Sequence, residues 1–258
     1  MQPGVGLVVG TVYSPASLRA AQALAPPPAA PDLLELRVDH FAGHPEALDP
    51  LAANSPRPLI VTVRAAAEGG HGDLEAAHRR DLYERFAPRA YWLDLELSWL
   101  RGLAPVAELA RGTAGGLIAS HHDFRGGPSL EQLRTLAARA ADAGAAIFKA
   151  AVLVEDPPGV TVLLEFLATE TRLPVAVMGV GRYGLVSRLA AAALGSRLNY
   201  GYLGDAPQVP GQWPAGLLRA RIDELWPKLR RTRPGAEGTE DLGSSDDPNA
   251  GPPRTTSG

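Results

Sequence analysis

The stretch LIASHHDFRGGPSLEQLRTLAARAADAGAAIFKAAV, residues 117–152, decides the fold. Leu117–Ser120 is an apolar run too short for a helix. Leu130–Ala143 carries apolar residues at threes and fours, the period of a helix with one buried face, and Gly144 punctuates its end. Ala146–Val152 is apolar again. Strand, helix and strand in that order bring the chain back to the same end of a sheet, so the two strands are parallel. The cycle extends both ways. Upstream, strand-like runs fall at Val5–Val9, Leu33–Val38, Leu59–Val63 and Trp92–Leu97; downstream they fall at Pro174–Val180 and Leu198–Leu203. Helical periodicity lies between them at Leu74–Phe86, Val160–Thr169 and Leu185–Leu194, and the spacing predicts a last helix over Pro214–Leu229. Eight such repeats in 258 residues suit a (β/α)8 TIM barrel with an eight-stranded parallel sheet, whose usual size is about 250 residues. A doubly wound open sheet is the alternative that alternation alone leaves standing.

Composition narrows the class. Apolar residues make up 45% of the chain, enough for a large core. The net charge of −3 comes with no basic block, so nothing here resembles a nucleic-acid or anionic-membrane footprint. The absence of cysteine excludes disulfides, thiolate–zinc sites and cysteine nucleophiles. Met1–Val5 has no charged segment ahead of an apolar one, and no apolar run approaches the ~18 residues of a membrane span. A cytoplasmic protein is expected. Leu24–Pro31, with its prolines, reads as a stiff loop. The barrel is expected over residues 1–232. Arg233–Gly258 is rich in Gly, Pro, Ser, Thr and Asp with a single leucine, Leu242, and is expected to be a disordered tail.

Strands of a parallel barrel are buried on both faces and normally read as Val, Ile and Leu. Here the pattern breaks, always late in a strand. Glu35, Arg37 and Asp39 alternate with Leu34, Leu36 and Val38, so all three project to one face. Arg64 closes the third strand, and Glu68 follows in the loop Ala67-Glu68-Gly69-Gly70. Asp94 and Glu96 alternate on the fourth strand, where an ion-paired core and a functional site are both open readings. His121, His122 and Asp123 close the fifth strand, and Lys149 sits inside the sixth. Adjacent histidines on a strand face opposite ways, so only one reaches the mouth. That makes the pair a poor metal site, and His40 and His44 lie in a Gly/Pro-containing loop. Burial of Lys149 between Ile147-Phe148 and Ala150-Ala151-Val152 disfavours the ammonium and frees the amine to attack a carbonyl. Opposite charges gathered at the C-terminal mouth of a barrel must compensate one another or a ligand. Gly179-Val180-Gly181-Arg182-Tyr183-Gly184 fits a dinucleotide fingerprint, with Asp205 beyond it. It comes too late in the chain to leave room for a nucleotide-binding half. A simpler reading is a close backbone approach with Arg188 attracting an anion.

Taken in order, Glu35-Leu-Arg37-Val-Asp39, Arg64 with Glu68-Gly69-Gly70, Asp94-Leu-Glu96, Ser120-His-His122-Asp123-Phe124, Lys149-Ala-Ala-Val, Gly184-x-x-Ser187-Arg188 and Pro210-Gly211-Gln212 resemble the type I 3-dehydroquinate dehydratases over residues 5–230. The resemblance implies a cofactor-free barrel lyase that dehydrates 3-dehydroquinate to 3-dehydroshikimate in the shikimate pathway, usually as a homodimer. It implies that Lys149 forms a Schiff base with the substrate ketone, that His122 is the general acid/base, and that Glu68 orients it. It further implies that Arg188 holds the substrate carboxylate, that Glu35, Arg37 and Arg64 meet the ring hydroxyls, and that Gln208 and Gln212 bind substrate from a lid after the eighth strand. The lid departs from the family's Ser-Ala-Pro-Gly-Gln, reading Gln208-Val209-Pro210-Gly211-Gln212. Val180 stands where a Met is usual, Ala146 where an Asp is common and Gly127 where a Thr often follows. Two other classes share parts of this set: a lysine-imine aldolase barrel, and a ligand-sensing barrel without turnover.

Overall fold

The computed structural model describes residues 6–26, 31–126, 129–204 and 206–225. Strands and helices alternate through them. The order is β1 (Leu7–Val12), α1 (Pro15–Gln22), β2 (Leu33–Arg37), α2 (Asp49–Ala53), β3 (Leu59–Thr62), α3 (Ala76–Phe86), β4 (Trp92–Glu96) and α4 (Ala104–Arg111). It continues through β5 (Gly116–Asp123), α5 (Leu130–Asp142), β6 (Ile147–Leu153), α6 (Pro157–Thr169), β7 (Val175–Val180), α7 (Gly184–Ala193), β8 (Leu198–Tyr202) and α8 (Ala215–Leu225). The eight strands pair in parallel in the order β7-β6-β5-β4-β3-β2-β1-β8, a nearly closed barrel. The open-sheet alternative is excluded because the two end strands meet: β8 pairs with β1 on one side and lies against β7 on the other, where Arg197 N donates to Val175 O at 2.8 Å.

Local chemistry explains the elements. Ser129 caps α5 in a reciprocal box with Gln132, and Leu133, Ala137 and Ala140 turn inward at helical spacing. Ser14 and Ser17 form the equivalent box on α1. β1 starts at Leu7 and runs to Val12, further along than its apolar run suggests, because Gly10 and Thr11 also pair, with Leu34 and Glu35 on one side and Gly201 and Tyr202 on the other. β5 likewise continues through His121, His122 and Asp123, which pair with Ala150, Ala151 and Val152. Val5 of the expected first strand, residues 226–229 of the expected last helix, Asp205, Gly127 and the expected tail lie outside the described residues. No helix among the described residues is long and apolar enough to cross a membrane.

Inside the barrel, side-chain character changes along the strand direction. One apolar cluster draws on every strand: Leu7, Leu33, Ile60, Trp92, Ile118, Ile147, Ala176 and Leu198 are all members. Two residues further along, Val9, Met178 and Tyr200 still belong to that cluster, while Glu35, Thr62, Asp94, Ser120 and Lys149 make the layer polar. The apolar layer closes the barrel from below, so the polar layer meets solvent only at the C-terminal mouth. The seam between β7 and β8 lacks a regular ladder. Arg197 N donates to Val175 O at 2.8 Å and Val177 N to Ser196 Oγ at 3.2 Å. Higher up, Arg188 Nε donates to Gly179 O at 3.1 Å and Nη1 to Tyr200 O at 3.0 Å. A guanidinium therefore ties the two strands where backbone pairing fails.

Candidate active site

Lys149 is buried, and its Nζ donates to Asp94 Oδ2 at 2.8 Å and Glu35 Oε1 at 3.2 Å. The amine also lies 4.0 Å from the centroid of the Tyr200 ring. Asp94 is the hub of this cluster. Its Oδ1 accepts from Arg64 Nη2 at 2.9 Å and Ser120 Oγ at 2.6 Å, and with Arg64 and Lys149 beside it the carboxyl is held well below the usual carboxylate range despite burial. Glu96 extends the network. It sits 3.4 Å from Arg64 Nη1, accepts from the Ala65 amide and bonds Arg79. Asp94 and Glu96 are thus ion-paired core residues, and Asp94 is also a direct partner of the pocket amine.

His122 and Glu68 meet across the mouth. Gly70 packs against the Arg64 carbonyl, where an added Cβ would lie 2.1 Å from the oxygen, so the loop folds back on the end of β3. That brings Glu68 Oε2 to 3.1 Å from His122 Nδ1 and 3.0 Å from its amide, while Ser98 Oγ donates to Oε1 at 2.7 Å. With Nδ1–H given to the carboxylate, the other ring nitrogen is an acceptor. Burial, then Arg64 and Lys149, push the imidazole well below its ordinary value, so it is neutral near pH 7. Burial raises the Glu68 carboxyl. His121 is not among the pocket-lining residues, as expected from the alternation.

One pocket is lined by all nine residues singled out from the sequence: Glu35, Arg37, Arg64, Glu68, His122, Lys149, Arg188, Gln208 and Gln212. They differ in how free they are. Both terminal nitrogens of Arg64 are engaged, Nη1 with Ser120 and Nη2 with Asp94. Arg37 grips Asp39 through Nε and Nη2 at 3.0 and 2.8 Å. Arg188 is buried and makes no ion pair among the described residues, and burial alone lowers its guanidinium to about 10. It is charged at neutral pH and lacks a counter-anion. Gln212 Oε1 accepts from the Gln208 amide at 3.1 Å, and the Gln208 carboxamide turns to His40.

Tyr200 and Arg79 were not singled out. Tyr200 left no signal in an otherwise ordinary strand. Arg79 did leave one. It shares the buried stripe of α3 with Leu82, Tyr83 and Phe86 at spacings of three, one and three, a position where an arginine needs a buried anion. It donates to Val63 O and Glu96 and lies under Trp99.

Fold and site together define a parallel-barrel enzyme with an amine and an imidazole–carboxylate pair sharing one pocket. Sequence comparison gives the family: the model for Type I 3-dehydroquinase matches residues 9–223. The chain is 35% identical over 200 residues to the 3-dehydroquinate dehydratase of Methanocella arvoryzae, covering 77% of this chain and 86% of that protein. It is 34% identical over 209 residues to that of Geobacillus kaustophilus, covering 76% and 80%. The crystal structure of 3-dehydroquinate dehydratase from Geobacillus kaustophilus superposes with a TM-score of 0.75 at 27% identity, covering 87% of this chain and 93% of that one. The chain belongs to the type I 3-dehydroquinase family and is a hydro-lyase.

Proposed function

We propose that this enzyme dehydrates 3-dehydroquinate to 3-dehydroshikimate through a Schiff base on Lys149. The observation that carries the reading is the meeting of three groups in one pocket: an amine held by two carboxylates, a neutral imidazole backed by Glu68, and an arginine without an anion. The Lys149 amine adds to the C3 ketone and water is lost, leaving an iminium. Its positive nitrogen withdraws electrons from C2, so His122, through the ring nitrogen not given to Glu68, takes the C2 proton. The resulting enamine expels the C1 hydroxyl, which leaves as water with the proton that His122 has just taken. Hydrolysis of the iminium then returns the amine.

Arg188 is the receptor for the substrate carboxylate, and charge-assisted bonds there relieve a buried unpaired cation. Glu35 and Arg37 meet the ring hydroxyls, and Arg64, already committed to Asp94 and Ser120, acts by setting charge balance. Gln212 belongs to the segment that covers the pocket. The reading extends to a cytoplasmic role in the shikimate route to aromatic amino acids and to a homodimer. Exposed Leu185, Val186 and Leu194 around α7 and Leu217 on α8 are apolar surface that a second copy would cover. The domain reading remains a single barrel over 1–232 followed by a tail.

Borohydride reduction in the presence of 3-dehydroquinate is the test. Mass spectrometry should find one reduced adduct, on the peptide carrying Lys149, with none in Lys149→Met. His122→Ala should still form part of that adduct while product formation collapses. A label elsewhere, or near-normal turnover by His122→Ala, would overturn the assignment.

A further inference from the structure

The segment 206–212, after β8, crosses the pocket, and its two ends are fixed differently. At the far end Gly181 N donates to Pro210 O at 3.0 Å. Gly211 has a φ of 79° and lies so close to α7 that an added Cβ would sit 2.5 Å from the Gly181 oxygen and 2.7 Å from Gly184 Cα. This end is a backbone-to-backbone hinge that only glycine permits. The near end is held by side chains that follow β1 and β2, on the other flank of β8 from β7. Tyr13 Oη donates to Ala206 O, and Gln208 Nε2 lies 2.9 Å from His40 Nε2.

We propose that His40 is a positioning residue for this segment: its ring accepts a hydrogen bond from the Gln208 carboxamide and latches the lid over the pocket. Gln208 then serves mainly to hold the lid and not to contact substrate. The inference rests on the proposed function only for its kinetic arm. Three features prepare the ring for this role. It stacks on His71 with centroids 4.8 Å apart and meets the edge of Tyr13 at 5.8 Å, which fix its plane. The neighbouring carboxylate Asp39 is 3.8 Å from Nε2 but already accepts from Arg37, the Arg64 amide and the His71 amide, so it does not compete for the ring. Burial, with Arg37 next, lowers His40 to about 4, which leaves Nε2 free to accept at neutral pH.

His40→Phe keeps a ring on His71 and beside Tyr13 but removes the acceptor; Gln208→Ala removes the donor. Hydrogen exchange of the 206–212 amides in the substrate-free enzyme reads the latch directly. Each variant should exchange faster by roughly threefold to tenfold, the range of one net hydrogen bond, and the double variant no faster than either. With 3-dehydroquinate, the KM should rise by a similar factor while the Lys149 adduct still forms at saturating substrate. Exchange unchanged from the parent in His40→Phe, or effects that multiply in the double variant, would overturn the latch. Should the parent enzyme prove inactive on dehydroquinate, the proposed function falls and the exchange measurement still decides the latch.

Discussion

Replacing Arg188 with Met separates substrate binding from architecture, because the two uses of the guanidinium carry different signs. In the substrate-free enzyme, Nε and Nη1 donate to Gly179 O and Tyr200 O across the β7–β8 seam, and no carboxylate neutralises the charge. Losing those two bonds costs about 1.5–3 kcal/mol each. Removing an unpaired buried cation returns several kcal/mol of the same order. The net change in stability should therefore be small, within about 2 kcal/mol. With substrate bound, the second effect reverses, because the variant leaves a buried carboxylate unanswered at a cost of about 2–5 kcal/mol. At about 1.36 kcal/mol per tenfold, that is roughly 30-fold to 5,000-fold in kcat/KM. Initial rates and denaturant melts on the same preparation measure both quantities. Arg188→Lys, which keeps charge but not the planar fork, should fall between the two. An Arg188→Met protein with kcat/KM within threefold of the parent but a collapsed melt would refute the reasoning, since the arginine would then be only a tie across the seam.

Three further outcomes follow. Arg79→Met should destabilise the fold by about 3–5 kcal/mol in urea melts, because it strips Glu96 of a buried partner; a loss below 1 kcal/mol would contradict the pairing. Tyr200→Phe should be as stable as the parent or about 1 kcal/mol more so, since the hydroxyl is buried without a partner among the described residues, and a clear loss would reveal an acceptor there. The pH profile of kcat/KM should stay level as pH falls through 6.5 and drop only well below it, because burial, Arg64 and Lys149 depress the His122 imidazole. The sign for stability agrees. Between the folded and unfolded values the unfolded chain binds the extra proton, so His122 makes the parent lose stability as pH falls below about 6.5. His122→Asn should lack that component, and an acid limb at or above 6.5 would remove His122 from the base role.

Alternation within strands made the inward set legible, since Glu35, Arg37, Asp94, His122 and Lys149 all reach the pocket or its network as their parity requires. What alternation could not supply was neighbours. Lys149 looked apolar in its surroundings because Phe148 and Ala150 adjoin it in the chain, yet both belong to the outer core shared with α5 and α6. Its actual partners, Asp94 and Glu35, stand 55 and 114 positions away on β4 and β2. A strand's own sequence tells which face a side chain takes, and only closure of the barrel tells which strands share that face. The same limit explains Gln208. Its partner His40 is 168 positions distant, on a helical turn after β2, and loop-to-loop contacts have no periodicity to announce them.

The charge pattern also explains why such a polar layer is tolerated above an apolar plug. Glu35, Asp39, Asp94 and Glu96 are buried, and each faces a buried cation drawn from Lys149, Arg37, Arg64 and Arg79. Among the buried cations of the pocket, Arg188 alone makes no ion pair with the described residues. In the proposed reaction Asp94 and Glu35, already bonded to the Lys149 nitrogen, lie beside the positive charge of the iminium. The substrate brings one negative charge, its carboxylate, and Arg188 supplies the one positive charge that lacks a partner. Occupancy by the substrate carboxylate gives this buried cation a direct partner, and a neutral analogue lacking the carboxylate should bind far more weakly than its loss of contact area alone would predict.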